Sequence, residues 1–361
     1  MPKSLPREVI HVQQEWPIAQ VIQALRMALD GQGPALAFGP ITHSHVSKNI
    51  AVVVPTSGST GMPKEVALTS KALIASAKAA HKYLNAKKNE RWSLLLPINH
   101  IAGVNVLVRS IVLESEITDL RGKNTRKSAE YTSIVPTQLY RALNGDSDLL
   151  DHLQNAKAVL VGGSPTSDDL LEDAKSKNIN VITTYGMSEM SGGCIYNGQP
   201  LSGVKVKIKK HHVIALSGPM QAKTYLNDQK SWKARTSNKW FITSDFGDYR
   251  KGKLIVHGRV DDLIISGGEK ISLSAIEGTL NENFPDQRFM ACAAKDAEWG
   301  ERLALASDGQ IEVEKIKGIL KDKFGNHAVP KAFMPSVELP ITSIGKPDRK
   351  KLLTQFERLH P

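Results

Sequence analysis

Two cysteines, Cys194 and Cys292, are all that 361 residues contain. That excludes a disulfide framework and a thiolate metal cage, and a reducing cytoplasm is the expected compartment. No apolar run approaches the ~18 residues that a membrane helix needs. Met1 to Trp16 lacks the uninterrupted apolar stretch of a secretory signal, so no membrane partner is expected. Acidic residues are in deficit, 36 against 47 Lys and Arg, and the net charge is +11. Much of the excess lies in residues 201–240, where eight lysines and Arg235 face a single acid, Asp228. Basic clusters neutralise phosphates. Here, however, aromatics total only 6% and no zinc-finger spacing or RNA-binding motif accompanies the charge. Nucleic acid is therefore not expected, and a solvated basic face favouring anionic small substrates is.

What the chain does have is an ordinary globular balance, 41% apolar and 23% charged, and length for two or three domains. One stretch organises it: Thr56-Ser57-Gly58-Ser59-Thr60-Gly61-Met62-Pro63-Lys64. An apolar strand, Ala51 to Val54, precedes it, and Val66-Ala67-Leu68 and a helix with Leu73, Ile74, Ala77, Ala80 and Leu84 follow. Glycines let backbone N–H groups converge on an anion, hydroxyls add donors without bulk, and lysine adds a mobile charge. That composition suits a polyphosphate. The Walker spacing is absent, and a flexible surface loop is the plain alternative.

Ahead of this loop, Ile18, Val21, Ile22, Leu25 and Leu29 mark an amphipathic helix ended by Gly31 and Gly33. From Ala51 to about Val161 short apolar strands alternate with helical patterns, which predicts an α/β sheet with helices packed on it. The lysine-rich stretch Val204 to Leu216 predicts a small β subdomain. The pattern changes near Gly258-Arg259-Val260-Asp261-Asp262, and the last hundred residues read as a compact α+β unit. The expected division is a first domain at 1–260 and a second at 261–361.

Four more segments carry chemistry. Gly162-Gly163-Ser164-Pro165 is a turn where backbone can approach a flat ligand. In Thr183-Thr184-Tyr185-Gly186-Met187-Ser188-Glu189, Tyr185 can stack on a base and Glu189 can bind a hard cation. Ser244-Asp245 offers a carboxylate to a ribose diol. Ile344-Gly345-Lys346-Pro347-Asp348-Arg349 sets a lysine in a tight turn before the terminal helix. Each has a dull alternative: a surface acid, a core aromatic, a solvated charge.

Together and in this order, the segments resemble the acyl-adenylate-forming superfamily, which includes the acyl- and aryl-CoA synthetases. The resemblance runs from Val52 to the end and includes Gly258 to Ile271. It implies an ATP site of Thr56, Ser57, Gly58, Ser59, Thr60, Gly61, Lys64, Gly162, Gly163, Ser164, Thr184, Tyr185, Gly186, Met187 and Ser188. Adenine packs between Gly162-Gly163 and Tyr185, and Asp245 and Arg259 meet the ribose. Glu189 holds Mg²⁺, Asp261 is the hinge, Gly267 and Gly268 lie along the CoA path, and Lys346 is the catalytic lysine.

There are departures. Relatives carry more chain ahead of the loop, implying a shortened N-terminal subdomain, and Glu65 stands where Gly is usual. Its carboxylate would oppose ATP unless it points away, as strand alternation permits. Thr243-Ser244-Asp245 replaces Thr-Gly-Asp, and Ser188 replaces Thr. Leu96 to Gly103, Val106 to Ser110 and Ser188 to Cys194 further resemble the short o-succinylbenzoate–CoA ligases of menaquinone biosynthesis. That implies His100 beside the acyl carboxylate, Arg109 facing a second carboxylate, and Gly186, Gly192 and Gly193 lining the acid's pocket. For His100 a helix-capping or core role is the alternative, and for Arg109 a surface position. The implied partners are ATP, CoA and a small carboxylic acid, with a homo-oligomer left open. The competing readings are a ligase for another acyl or aryl acid and a nucleotide-binding relative without catalysis.

Overall fold

A computed structural model describes residues 6–56, 63–122, 128–266, 269–284, 286–296, 300–341 and 348–359. Two compact units emerge. The first takes residues up to Lys209, Ile214–Thr243 and Tyr249–Ile255, and the second takes Lys210–Val213, Ser244–Asp248 and residues from Val256 onward.

A seven-stranded sheet organises the first unit. Its order is Gln199–Pro200, Gly192–Tyr196, Val181–Met187, Ala158–Gly162, Tyr131–Ile134, Trp92–Leu94 and Ile117–Asp119. The last five are mutually parallel, and Gly192–Tyr196 runs antiparallel to Val181–Met187. Successive side chains point to opposite faces, and both faces are covered. Val159 and Val161 pack with Leu139, Leu153 and Ala174, from helices Pro136–Leu143, Ser147–Gln154 and Asp168–Ser176. Ala158 and Leu160 share the opposite core with Leu73, Ala77, Val104 and Leu107, from helices Ser70–Leu84 and Ile101–Val112. Two-sided burial is why these strands read as unbroken apolar runs. Helix Ser70–Leu84 starts where Thr69 accepts the Ala72 N–H, and ends at Asn85 in the left-handed region.

A second sheet runs Thr224–Tyr225, Lys64–Thr69, Ile50–Thr56, Ala35–Ala37, Arg7–His11 and His45–Val46. Ile50–Thr56 and Lys64–Thr69 are antiparallel, with Thr56 opposite Lys64. The glycine-rich stretch therefore connects two paired strands. In the β subdomain, Lys205–Ile208 and Val213–Ser217 form a hairpin. Lys205 and Lys207 are exposed on its edge strand, where charge discourages pairing with another chain.

The second unit is built on Glu269–Ser272, Leu263–Ser266, Gly300–Ser307 and Phe289–Asp296, with Ala332–Met334 beside Gly300–Ser307. Alternation again divides the core. Phe289 and Ala291 pack with Ile276, Leu280, Ile316 and Leu320, from helices Leu273–Asn283 and Val313–Phe324. Met290, Cys292 and Ala294 pack with Leu352 and Phe356 of the terminal helix Arg349–Leu359. No described helix is long and apolar enough to cross a membrane.

Candidate nucleotide and acid site

The C-terminal ends of the central strands are shaped by close backbone approach. Gly162 lies opposite Thr184, and a Cβ there would fall 2.2 Å from Thr184 Oγ1. Gly163, at φ +91°, turns the chain into the exposed Ser164. A bulge separates Tyr185 from Gly186, and a Cβ on Gly186 would lie 2.0 Å from the Gly192 carbonyl oxygen. Gly192 has φ +92°, and its missing side chain leaves room for Asn105 of helix Ile101–Val112. Asn105 Nδ2 donates to the Ser191 carbonyl at 2.5 Å. Gly186 and Gly192 thus have a packing reason of their own: they bring the hairpin and this helix together, with Gly193 beside them opposite Gly186.

Met187 leads into a single tight turn, Ser188–Met190, which presents Glu189. Tyr225 donates its hydroxyl to Glu189 Oε1, and no described residue donates to Oε2. Lys64 Nζ sits 4.9 Å from the centre of the same ring and 4.0 Å from Asp228 Oδ2. Lys64, which closes the glycine-rich stretch, and the candidate cation ligand Glu189 therefore meet across Tyr225. Burial, and then the Glu189 charge, push the phenol's pKa up, so Tyr225 stays a donor. Sequence reasoning missed Tyr225 and its neighbour Asn227. The available signal was their i, i+2 spacing, one face of an extended segment.

A hard cation fits Glu189. One carboxylate oxygen is held and the other lacks a donor, and oxygen ligands suit Mg²⁺. No described group of three or more His, Cys, Asp or Glu forms a metal cage. Phosphates and water would complete the shell, as is usual for this ion.

His100 is half-buried at the N-cap of helix Ile101–Val112, and its side chain makes no capping bond. Nine residues later Arg109 is only 4% exposed. The surface alternative is thereby excluded, and so is an open, solvent-facing cation. Its Nη2 donates to Tyr196 Oη at 2.9 Å, its Nη1 to Ser133 Oγ at 3.3 Å, and the guanidinium lies 4.9 Å from the Trp92 ring centre. Among the described residues Nε has no partner, and no carboxylate pairs with the charge. Arg109 also affects His81: burial first, then Arg109, lower the imidazole to about 4. Cys194 is inert, because burial pushes its thiol up to about 12.

Other expected residues belong to the second unit: Asp245 in Trp240–Arg250, Arg259 ending Lys253–Arg259, and Asp261 in the turn Val260–Asp262. Asp245 is half-buried and Arg259 exposed. Ser57, Gly58, Ser59, Thr60, Gly61, Gly267, Gly268 and Lys346 lie outside the described residues. Close to Lys346 in sequence, Arg349 is firmly placed. It grips Glu277 with both terminal nitrogens and reaches Asp262 Oδ1 at 3.3 Å through Nε.

A sequence profile described as AMP-binding enzyme matches residues 6–222. A "Probable 2-succinylbenzoate–CoA ligase" of Mycobacterium tuberculosis H37Rv is 34% identical over 378 residues, covering 96% of this chain and 98% of the relative. The o-succinylbenzoate CoA synthetase of Bacillus subtilis shares the fold. Its complex with the acyl-adenylate OSB-AMP superposes with TM-score 0.76 at 23% identity, covering 92% of this chain and 80% of that one. Its complex with ATP and magnesium gives 0.78 at 22%, covering 95% and 83%. The chain belongs to the AMP-binding enzyme family, among the 2-succinylbenzoate–CoA ligases.

Proposed function

We infer that the chain is an ATP-dependent acid–CoA ligase working through an acyl-adenylate, with o-succinylbenzoate as its acid, in menaquinone biosynthesis. The observation that carries this reading is the meeting of Lys64 and Glu189 across Tyr225, in a chain 34% identical along nearly its whole length to such a ligase.

A carboxylate is a poor acyl donor because its oxygen leaves badly. Attack of the acid's carboxylate on the α-phosphorus of ATP displaces pyrophosphate and gives a mixed anhydride. The CoA thiol then attacks its carbonyl, AMP leaves and the thioester remains. Charge develops on phosphoryl oxygens, so positioning and electrostatics supply the acceleration. Lys64 brings positive charge to the polyphosphate. Glu189 would hold Mg²⁺, which neutralises phosphate charge when bound. No protein nucleophile is needed, and the two buried thiols, pushed up to about 12 and about 11, offer none.

The remaining assignments rest on the motif resemblance. Gly162, Gly163 and Tyr185 take the adenine, and Asp245 and Arg259 the ribose. Lys346 serves adenylation, Gly267 and Gly268 the CoA path, and Asp261 the hinge. His100 sits by the acyl carboxylate. Arg109 takes the second carboxylate, and its burial without an anionic partner among the described residues supports that role.

ATP–pyrophosphate exchange across a panel of carboxylic acids tests the reading. Exchange should depend on o-succinylbenzoate and vanish in Lys346→Ala, while that variant still makes thioester from supplied acyl-adenylate. No exchange with any acid overturns the assignment.

A further inference from the structure

The segment Ala222–Asp228 takes part in none of the chemistry above, yet it touches both of its charged ends. On one side, Ala222 N–H donates to the Glu189 carbonyl at 2.8 Å, and the Tyr225 hydroxyl holds Glu189 Oε1 at 2.5 Å. On the other, Asn227 spans the exit of the phosphate loop. Its Nδ2 donates to the Pro63 carbonyl at 2.8 Å, and its Oδ1 accepts the Glu65 N–H at 2.9 Å. Leu226 N–H adds a bond to the Glu65 carbonyl at 2.9 Å, and Tyr225 lies opposite Val66 in the sheet. The Tyr225 ring is 1% exposed and meets Trp232 edge-on at 5.0 Å, which fixes where its hydroxyl points.

We propose that this segment is a positioning strap: Tyr225 orients the Glu189 carboxylate toward the cation, and Asn227 fixes the exit of the phosphate loop. The proposal rests on the reading of Glu189 as the cation ligand. A carboxylate with both oxygens open can rotate and change its mode of coordination. With Oε1 committed to a buried phenol, Oε2 alone is presented. Partners that orient a ligating group in this way contribute substantially to metal affinity. Asn227 acts on backbone, holding Pro63 and Glu65 on either side of Lys64, whose ammonium rests over the Tyr225 ring. One segment thereby sets the distance between the cation ligand and the phosphate-loop lysine. Tyr225 is a positioning residue, because it acts through Glu189.

The test reads cation binding. Mn²⁺ binding is followed by electron paramagnetic resonance on the full chain loaded with a non-hydrolysable ATP analogue. Wild type is compared with Tyr225→Phe, Glu189→Gln and the double variant, and each is checked by thermal unfolding. Tyr225→Phe keeps the ring under Lys64 and should weaken Mn²⁺ binding about tenfold, the scale of one hydrogen bond to an ionised group. The double variant should be no weaker than Glu189→Gln. If Glu189→Gln leaves Mn²⁺ affinity unchanged, the ligand reading itself fails. If that variant weakens binding but Tyr225→Phe does not, or if the two losses add, the positioning role alone is overturned. Asn227→Ala should weaken the analogue about fivefold while Mn²⁺ half-saturation stays constant. Unchanged analogue affinity would overturn the loop half of the proposal. Should Tyr225→Phe be too unstable to titrate, the Asn227→Ala result decides for or against the strap.

Discussion

Glu65 aims its carboxylate at His43, with Oε2 2.6 Å from Nδ1, while Lys64, its neighbour on the strand, lies over the Tyr225 ring. Thr42 donates its backbone N–H at 2.6 Å and its hydroxyl at 2.7 Å to the other oxygen. Burial alone would raise this carboxyl's pKa, but Thr42 and His43 together hold it below its ordinary value. The acid in place of the usual glycine is thus a structural clasp between the 42–43 segment and the loop's exit strand.

Glu65→Gly should therefore leave KM for ATP nearly unchanged and lower stability by about 1–3 kcal/mol, since Thr42 loses its acceptor. The folded pKa is the lower one. The clasp's charge-dependent share is then full above the ordinary 4.5 and lost as pH falls through the folded value. Equilibrium unfolding at pH 7 and pH 3 should show wild type and Glu65→Gln converging at the acid end. A large fall in KM for ATP would show instead that the carboxylate repels the triphosphate.

His81 predicts an acid weakness of its own. Its folded pKa is about 4 against an ordinary 6.5, because burial and then Arg109 disfavour the cation. Between those values the unfolded chain binds more protons, so stability rises with pH across that window. Acidification from pH 7 to pH 4 should cost about 3 kcal/mol through this group. In His81→Leu the unfolding midpoint should depend less on pH over that range, and an identical slope would exonerate His81.

Much of the frame was legible because a strand buried on both faces must be apolar throughout. Ala158 to Val161 and Val52 to Val54 announce themselves that way. Helix Val313–Phe324 declared itself by Ile316 and Leu320, one turn apart and both buried. Contacts between distant positions were not legible. Tyr225 reaches Glu189 across 36 residues, and Asn227 reaches Pro63 across 164. No local periodicity encodes such pairs: the first arises when two sheets come together, the second when Thr224–Tyr225 pairs with Lys64–Thr69 inside one sheet. Arg109 was legible as a candidate, but its burial was not: it lies on an apolar helix, and its partners Ser133 and Tyr196 come from strands 24 and 87 residues away.

Arg349 and Glu277 form the polar centre of the second unit. Burial pushes the Glu277 carboxyl's pKa up even with Arg349 gripping it. Arg349→Ala leaves that carboxylate buried without a cation and should cost about 3–5 kcal/mol. Arg349→Lys should cost less but lose the two-pronged grip. Glu277→Gln keeps the shape that accepts the Ala291 N–H and should recover part of the loss in the double variant. Urea unfolding measures all four, and no recovery would mean that Arg349 contributes packing rather than charge.

The last prediction concerns the acid. o-Succinylbenzoate carries a second carboxylate, and burying it unpartnered would cost several kcal/mol. Arg109 is a cation with the complementary problem, since its described partners are two hydroxyls and an aromatic face. A helix rises 1.5 Å per residue, so nine residues set Arg109 about 13 Å beyond His100. Helical side chains lean toward the N-terminus, which brings the guanidinium back toward His100. An incoming carboxylate can replace a hydroxyl partner with a two-pronged ionic hydrogen bond. Arg109→Met retains an apolar stem in the layer and should weaken kcat/KM for o-succinylbenzoate by about 2–4 kcal/mol. A monocarboxylic analogue without the ring carboxylate should be nearly indifferent. The same variant should raise the pKa of His81, because one of the influences lowering it is gone. That shift, followed by nuclear magnetic resonance of the imidazole, shows that the variant is folded and the charge removed. If His81 shifts while both substrates lose equally, Arg109 shapes the pocket without reading the second charge, and another acid must be sought.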